Sequence, residues 1–233
     1  MCSTPRLGAQ SGSFTIAQHG HAVGTASYQF TATPHGYNSS SLVRVAMQGL
    51  DYALSKSERL SAANHLRHVS LSAVVNGSAV TVVAAPAPNS GGGAQILLNI
   101  SASGKSTTTR LAAHTGAVFL PDFDPGALET LLALAVAQNN RDLWAILPKN
   151  AGPDHPASIE PVQLATYPDE QGTLGGKTIA VHHLVATIAG THTDLFSGPE
   201  NQLLQAELPQ EGFALVRKGF VLKPPPKPIA PAE

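Results

Sequence analysis

The chain keeps a two-residue beat. Apolar side chains alternate with Ser, Thr and other polar residues through most of its 233 positions. A period of two puts every residue of one kind on one face of an extended strand. Val69, Leu71, Ala73 and Val75 alternate up to Asn76-Gly77, and Val80 and Val82 continue beyond it. Asn-Gly between alternating runs is a strong signal for a two-residue hairpin.

The same pattern marks the rest of the first half. Phe14 and Ile16 start a first strand. Ala22, Gly24, Ala26, Tyr28 and Phe30 share one face of a second. Pro34-His35-Gly36 turns the chain, and Tyr37, Ser39, Ser41, Val43, Val45 and Met47 line one face of a third. Tyr52 and Leu54 begin a fourth. After the Pro86 to Gly93 loop come Ile96, Leu98 and Ile100, a turn at Ser103-Gly104, and Thr107, Thr109 and Leu111.

One segment, Asp124 to Asn139, changes period. Leu128, Leu131, Leu132, Ala135 and Val136 fall at helical spacing and form an apolar stripe expected to cover one face of a sheet. Asp124 is placed to cap the first free amides, and Pro125 suits the first helical position. Glu129 is the only charge inside, and Asn139-Asn140 is the predicted end.

Strand signals then resume at Val162 and Leu164. Gly172 to Gly176 reads as a turn. Ile179, Val181, His183 and Val185 fall on one face of a strand, and Ala180, His182, Leu184 and Ala186 on the other. Gly190 turns the chain into Thr191 to Ser197, Gly198-Pro199-Glu200-Asn201 turns it again before Leu203 to Leu208, and Phe213 to Phe220 closes the domain. About ten strands in hairpin order predict a mainly β fold: a strongly curved antiparallel sheet or open barrel with one main inserted helix. Residues 1–11 read as a flexible lead-in, 12–222 as one β-rich domain, and 223–233, opening Lys223-Pro224-Pro225-Pro226, as a proline-rich tail.

The order of elements resembles a known architecture. Small and apolar residues fill hairpin after hairpin, a central helix follows, then Leu147-Pro148-Lys149, then a meander ending in an Arg-containing strand. This is similar to the periplasmic lipoprotein-carrier fold of the LolA and LolB type, and to uncharacterised bacterial envelope families thought to share it. The resemblance covers about residues 12–222 and rests on element order, so no functional residue carries over. It implies a curved antiparallel sheet wrapped around a helix, with acyl chains held between them.

Composition and motifs exclude several functions. Charged residues make up 12% of the chain, about half the usual share, and the net charge is −1. No basic field for nucleic acid and no polybasic membrane patch results. Ser103-Gly104-Lys105-Ser106-Thr107 ends like a phosphate loop, but Asn99 stands where the first glycine belongs. There is no Gly-x-Ser-x-Gly elbow and no Ser-x-x-Lys pair. The ten histidines invite a metal centre, yet no His-Glu-x-x-His or cysteine cluster supports zinc. His19 and His21 lie two apart, on one face of a regular strand. His182 and His183 point to opposite faces. If Gly190 centres a tight hairpin, His192 faces Thr187 and Asp194 faces Val185, leaving His183 diagonal to Asp194. That trio is the first polar constellation to inspect. The carboxylate pairs Asp122/Asp124 and Asp169/Glu170 are explained by a helix cap and a turn beside Pro168.

Cys2 is the only cysteine, so no intrachain disulfide forms. Residues 1–20 lack a basic and apolar leader pattern. With Met1 removed, Cys2 would be the lipidated first residue of a mature lipoprotein tethered through Ser3 to Gly12. The alternative is an isolated cysteine near a terminus. The first case implies a periplasmic or outer-membrane-anchored protein, the second a cytoplasmic one.

The expectation is a non-enzymatic envelope module for a hydrophobic or amphipathic ligand, without catalytic residue, cofactor or metal. Tyr37, Val43, Val45, Met47, Leu128, Leu131, Leu132 and Trp144 are the candidate ligand-binding residues. Two alternatives stand beside it: a structural or protein-interaction module, and a secreted hydrolase whose site is assembled from distant residues.

Overall fold

The computed structural model describes residues 9–88, 94–138, 142–148 and 157–223. Cys2, most of the expected lead-in, Asn139-Asn140, Lys149 and the tail from Pro224 lie outside the described residues. The first eight strands are β1 (Gln10–Gln18), β2 (His21–Thr33), β3 (Gly36–Met47), β4 (Leu50–Ser61), β5 (Leu66–Val75), β6 (Ser78–Pro86), β7 (Gln95–Ala102) and β8 (Lys105–Ala112). The middle holds β9 (Ala117–Phe119), α1 (Pro125–Gln138), β10 (Leu143–Leu147) and β11 (Ser158–Thr166). The end holds β12 (Glu170–Leu174), β13 (Lys177–Ile188), β14 (Thr191–Ser197), β15 (Leu203–Leu208), β16 (Phe213–Arg217) and β17 (Phe220–Leu222).

These strands make one large, unclosed sheet. From β8 back to β1, each strand pairs antiparallel with its sequence neighbour. β1 then pairs with β16, and the order continues through β15, β14, β13, β11 and β10 to β9. Hairpin chemistry explains the regularity. Asn76-Gly77, Ser103-Gly104, His19-Gly20 and Ala189-Gly190 each carry positive φ at both positions, the geometry that matches strand twist. His19 is therefore a turn residue, and it does not share a strand face with His21.

Inward residues on β2 to β7 follow the alternation. Tyr28, Phe30, Val43, Val45, Val69, Leu71, Leu98 and Ile96 are buried against the concave face. Other stretches differ from expectation. β1 begins at Gln10, inside the expected lead-in. Gly172 belongs to β12, and only Gly175-Gly176 turns. Phe213 to Phe220 is broken at Lys218-Gly219 into β16 and β17. Among the described residues seventeen strands form where about ten were expected; part of the difference is β9, β10, β12 and β17, which span only 3–5 residues each and are too short to establish a period.

The helix sits inside the curl. β9 and β10 are parallel neighbours, and parallel neighbours need a crossover connection. α1 is that crossover. It packs on β2 and β3 on one side and on β15, β9 and β10 on others. Leu128, Leu131 and Leu132 are buried as expected, Ala135 is half-buried, and Val136 is exposed. Ala127, Thr130, Ala133 and Leu134 are buried as well, so the single stripe becomes a helix enclosed around its circumference through Leu134. A helix that is apolar all round belongs in an interior. No helix among the described residues is long and apolar enough to cross a membrane.

A smaller core lies on the outer face. β12 pairs with β17 and with the first half of β13, and Val181, Phe196, Leu204 and Phe220 pack beneath them.

Candidate functional site

Three places concentrate chemistry. The first ties the helix to the sheet. β4 runs Tyr52, Leu54, Lys56, Glu58, Leu60 on its inward face, so its alternation carries two charges into the core. Lys56 Nζ lies 3.0 Å from Glu58 Oε2 and 2.6 Å from Asp124 Oδ2, and donates to the Phe119 carbonyl at 3.2 Å. Glu58 Oε1 accepts from Phe119 N–H at 3.2 Å. Asp124 Oδ1 caps α1, accepting from Gly126 and Ala127 N–H at 2.9 and 3.2 Å. Burial alone would lower the Lys56 pKa, but the Asp124 and Glu58 carboxylates outweigh it and hold it above its ordinary value. The triad is a structural clamp joining β4, β9 and the helix start. Its only visible sign in the sequence was two charges on the inward beat of β4.

Glu129 makes a second buried contact. Its Oε2 accepts from the Tyr28 hydroxyl at 2.8 Å and from Leu203 N–H at 2.7 Å, while Oε1 is buried without a hydrogen bond. Burial raises the Glu129 pKa. Burial and the neighbouring Glu129 charge push the Tyr28 hydroxyl up as well. Arg217 completes the region, donating to the Leu203 and Ser11 carbonyls.

The third is the histidine constellation on the outer face. Val185 pairs with Asp194 and Thr187 with His192, as a tight Gly190 hairpin requires. His183 Nε2 lies 2.8 Å from Asp194 Oδ1, and Nδ1 lies 3.3 Å from Glu170 Oε1. Its ring stacks on Phe196 with centroids 4.5 Å apart. His182 turns the other way and meets Asp169 at 3.0 Å. Both carboxylates of the Asp169-Glu170 pair therefore hold histidines, and Glu170 sits in a strand, not in the expected turn. Both ring nitrogens of His183 thus face carboxylates, and its ring packs on Phe196. No group of His, Cys, Asp and Glu suited to a metal ion occurs among the described residues.

Between the concave face and the N-terminal end of α1 lies a cavity of about 770 Å³. Leu71, Ala73, Val80, Val82 and Ile100 form its apolar floor from β5, β6 and β7. Leu120 to Asp124 and Leu128 make one wall, and the β13–β14 tip with Phe213 and Leu215 makes the other. An aromatic row lines it: Tyr52 and Phe123 meet edge-on at 6.1 Å, and Phe123 and Phe213 at 4.8 Å. The Tyr52 hydroxyl donates to the Asp122 carbonyl at 3.4 Å. Phe123 holds φ at +57°, a left-handed conformation that costs a non-glycine residue about 1–2 kcal/mol. The strain sits where the chain bends from β9 into the helix cap, and it aims the ring into the cavity wall.

Of the candidate ligand-binding residues, Leu128 lines this cavity. Val43, Val45, Leu131 and Leu132 lie in the filled core. Tyr37 is half-buried and stacks on Phe30 at 5.5 Å, and Met47 packs at the core margin. Trp144, in β10, stacks on His114 at 3.8 Å. Alternation found the inward faces, but it carries no information on where along a strand the helix stops filling them.

The chain matches no protein-family model, no curated protein and no solved structure.

Proposed function

We propose that this chain is a non-enzymatic binding module of the cell envelope that holds a hydrophobic or amphipathic ligand between its curved sheet and its helix. The cavity of about 770 Å³ carries the proposal. Its size falls in the range of roughly 300–1,000 Å³ typical of small-molecule sites, and its walls are mostly apolar with a few polar groups, as such sites are built. The resemblance in element order to the lipoprotein-carrier type, read from the sequence, supports the same reading. Cys2 would supply the envelope tether.

Native mass spectrometry of gently purified protein tests this directly, and a copurified lipid is the expected result. Titration with an uncharged naphthylamine dye should give saturable fluorescence enhancement. Thr193 lines the cavity and is part-exposed, so Thr193→Trp should block the dye while leaving the circular dichroism spectrum unchanged. Absence of both copurified lipid and saturable dye binding would refute the proposal and leave a structural module in its place.

A further inference from the structure

We infer that the ligand of this cavity joins an apolar tail to a cationic, ammonium-type head group. The inference rests on the binding proposal above and concerns the mouth of the same cavity. Among the described residues, every charged residue that lines it is an acid: Asp122, Asp124 and Glu211. Asp124 is already matched by Lys56, though Glu58 shares that ammonium and the buried triad still sums to −1. Asp122 and Glu211 are open to solvent and take part in no ion pair among the described residues; the cavity wall around Asp122 partly desolvates its carboxyl and raises its pKa from the ordinary value. The Tyr52 hydroxyl bonds the Asp122 carbonyl and leaves its carboxylate free for a ligand. Thr191 and Thr193 also line the cavity.

The gradient therefore runs from an apolar floor of Leu71, Val80, Val82 and Ile100 to an acidic rim. A tail seated on that floor places its head among these carboxylates. A fatty acid or phosphate monoester would set like charges together, which disfavours binding, whereas an ammonium meets complementary charge. A head with no charge gains neither effect.

Isothermal titration at pH 8 and low ionic strength, below micelle-forming concentrations, separates the cases. Three probes share a twelve-carbon tail: dodecyltrimethylammonium, dodecyl glucoside and dodecanoate. The ammonium should bind tightest and the carboxylate weakest, about tenfold apart, the scale expected for charges meeting exposed carboxylates. The ranking should collapse in the double variant Asp122→Asn/Glu211→Gln and in about 1 M salt, where screening acts within a few ångströms. Equal binding of all three, or a ranking that survives in the double variant, overturns the head-group inference and leaves the binding proposal standing. Failure of all three probes to bind removes both.

Discussion

Lys56→Met is the most informative single perturbation. The side chain keeps its length and loses its charge at a site where Lys56 is 2% exposed and Glu58 and Asp124 are no more open. Two carboxylates then remain in the core with no cation between them, and the Phe119 carbonyl loses a donor. Removing one partner of a buried ion pair costs about 3–5 kcal/mol, most of it from the stranded charge. With a urea m-value of about 3 kcal/mol/M for a chain of this size, the unfolding midpoint should fall by roughly 1–2 M. Trp144 fluorescence reports the transition, because its stacking on His114 is lost on unfolding. The triple variant Lys56→Met/Glu58→Gln/Asp124→Asn tests the reason. Gln keeps the acceptor for Phe119 N–H and Asn still caps the helix, so most of the lost stability should return. A single variant within about 1 kcal/mol of wild type, or a triple variant no better than the single, would show that stranded charge is not what the triad prevents. The pH dependence has a definite sign. The folded pKa of Lys56 lies above its ordinary 10.5, so the contribution of this group is complete below that value and disappears as pH rises through the folded one.

Three further outcomes follow from the packing of α1. Leu131 is fully buried, so Leu131→Ala should cost about 2–5 kcal/mol in chemical denaturation; a change within error would place the helix outside the core. Glu129 titrates above its ordinary 4.5 because of burial, so the folded state holds a proton that the unfolded state releases. Its contribution is full below 4.5 and falls as pH rises through the folded pKa. Glu129→Gln should therefore gain on wild type as pH rises above 4.5, and a difference that stays constant with pH would contradict the assignment. A Cβ at Gly126 would lie 2.3 Å from Ser41 Oγ and 3.2 Å from Tyr28 Cβ. Gly126→Ala should lose about 1–3 kcal/mol despite the better helix propensity of Ala, and adding Ser41→Ala should restore part of it. Stabilisation by Gly126→Ala alone would mean the helix is not pressed against β3.

How much was legible depended on which physical signal each region carries. The β2 to β7 hairpins were readable because one face is wet and the other dry, and a strand so placed alternates. The Asp124 cap and Pro125 start were readable because both act within one helical turn. The Asp194–His183 contact followed from hairpin register once Gly190 was placed. The enclosure of α1 was not legible: Ala133 and Leu134 look like ordinary helix formers, and only the wrapping of β2, β3 and β15 makes their side an interior one. Glu170 escaped for a related reason. Its partner His183 lies on a strand that begins seven residues later and folds back, so no local pattern joins them. The cavity arises where the helix N-terminus ends short of β5 and β6, a matter of three-dimensional placement that residue type does not encode.

The position of β1 imposes an order on folding. This strand pairs with β2 on one edge and with β16 on the other, and Arg217 reaches back 206 positions to the Ser11 carbonyl. During synthesis the β2 to β8 hairpins have every partner they need as soon as they emerge. β1 then waits with one edge open, and the concave face has no lid on its other half. The helix gains β2 and β3 early but meets β15 only after nearly the whole chain is made. Contacts this distant in sequence slow folding, since loop closure precedes any gain from them. The N-terminal meander is therefore a kinetic platform, and truncation within β15 or β16 should leave it collapsed with α1 only partly covered and its apolar surface open to association.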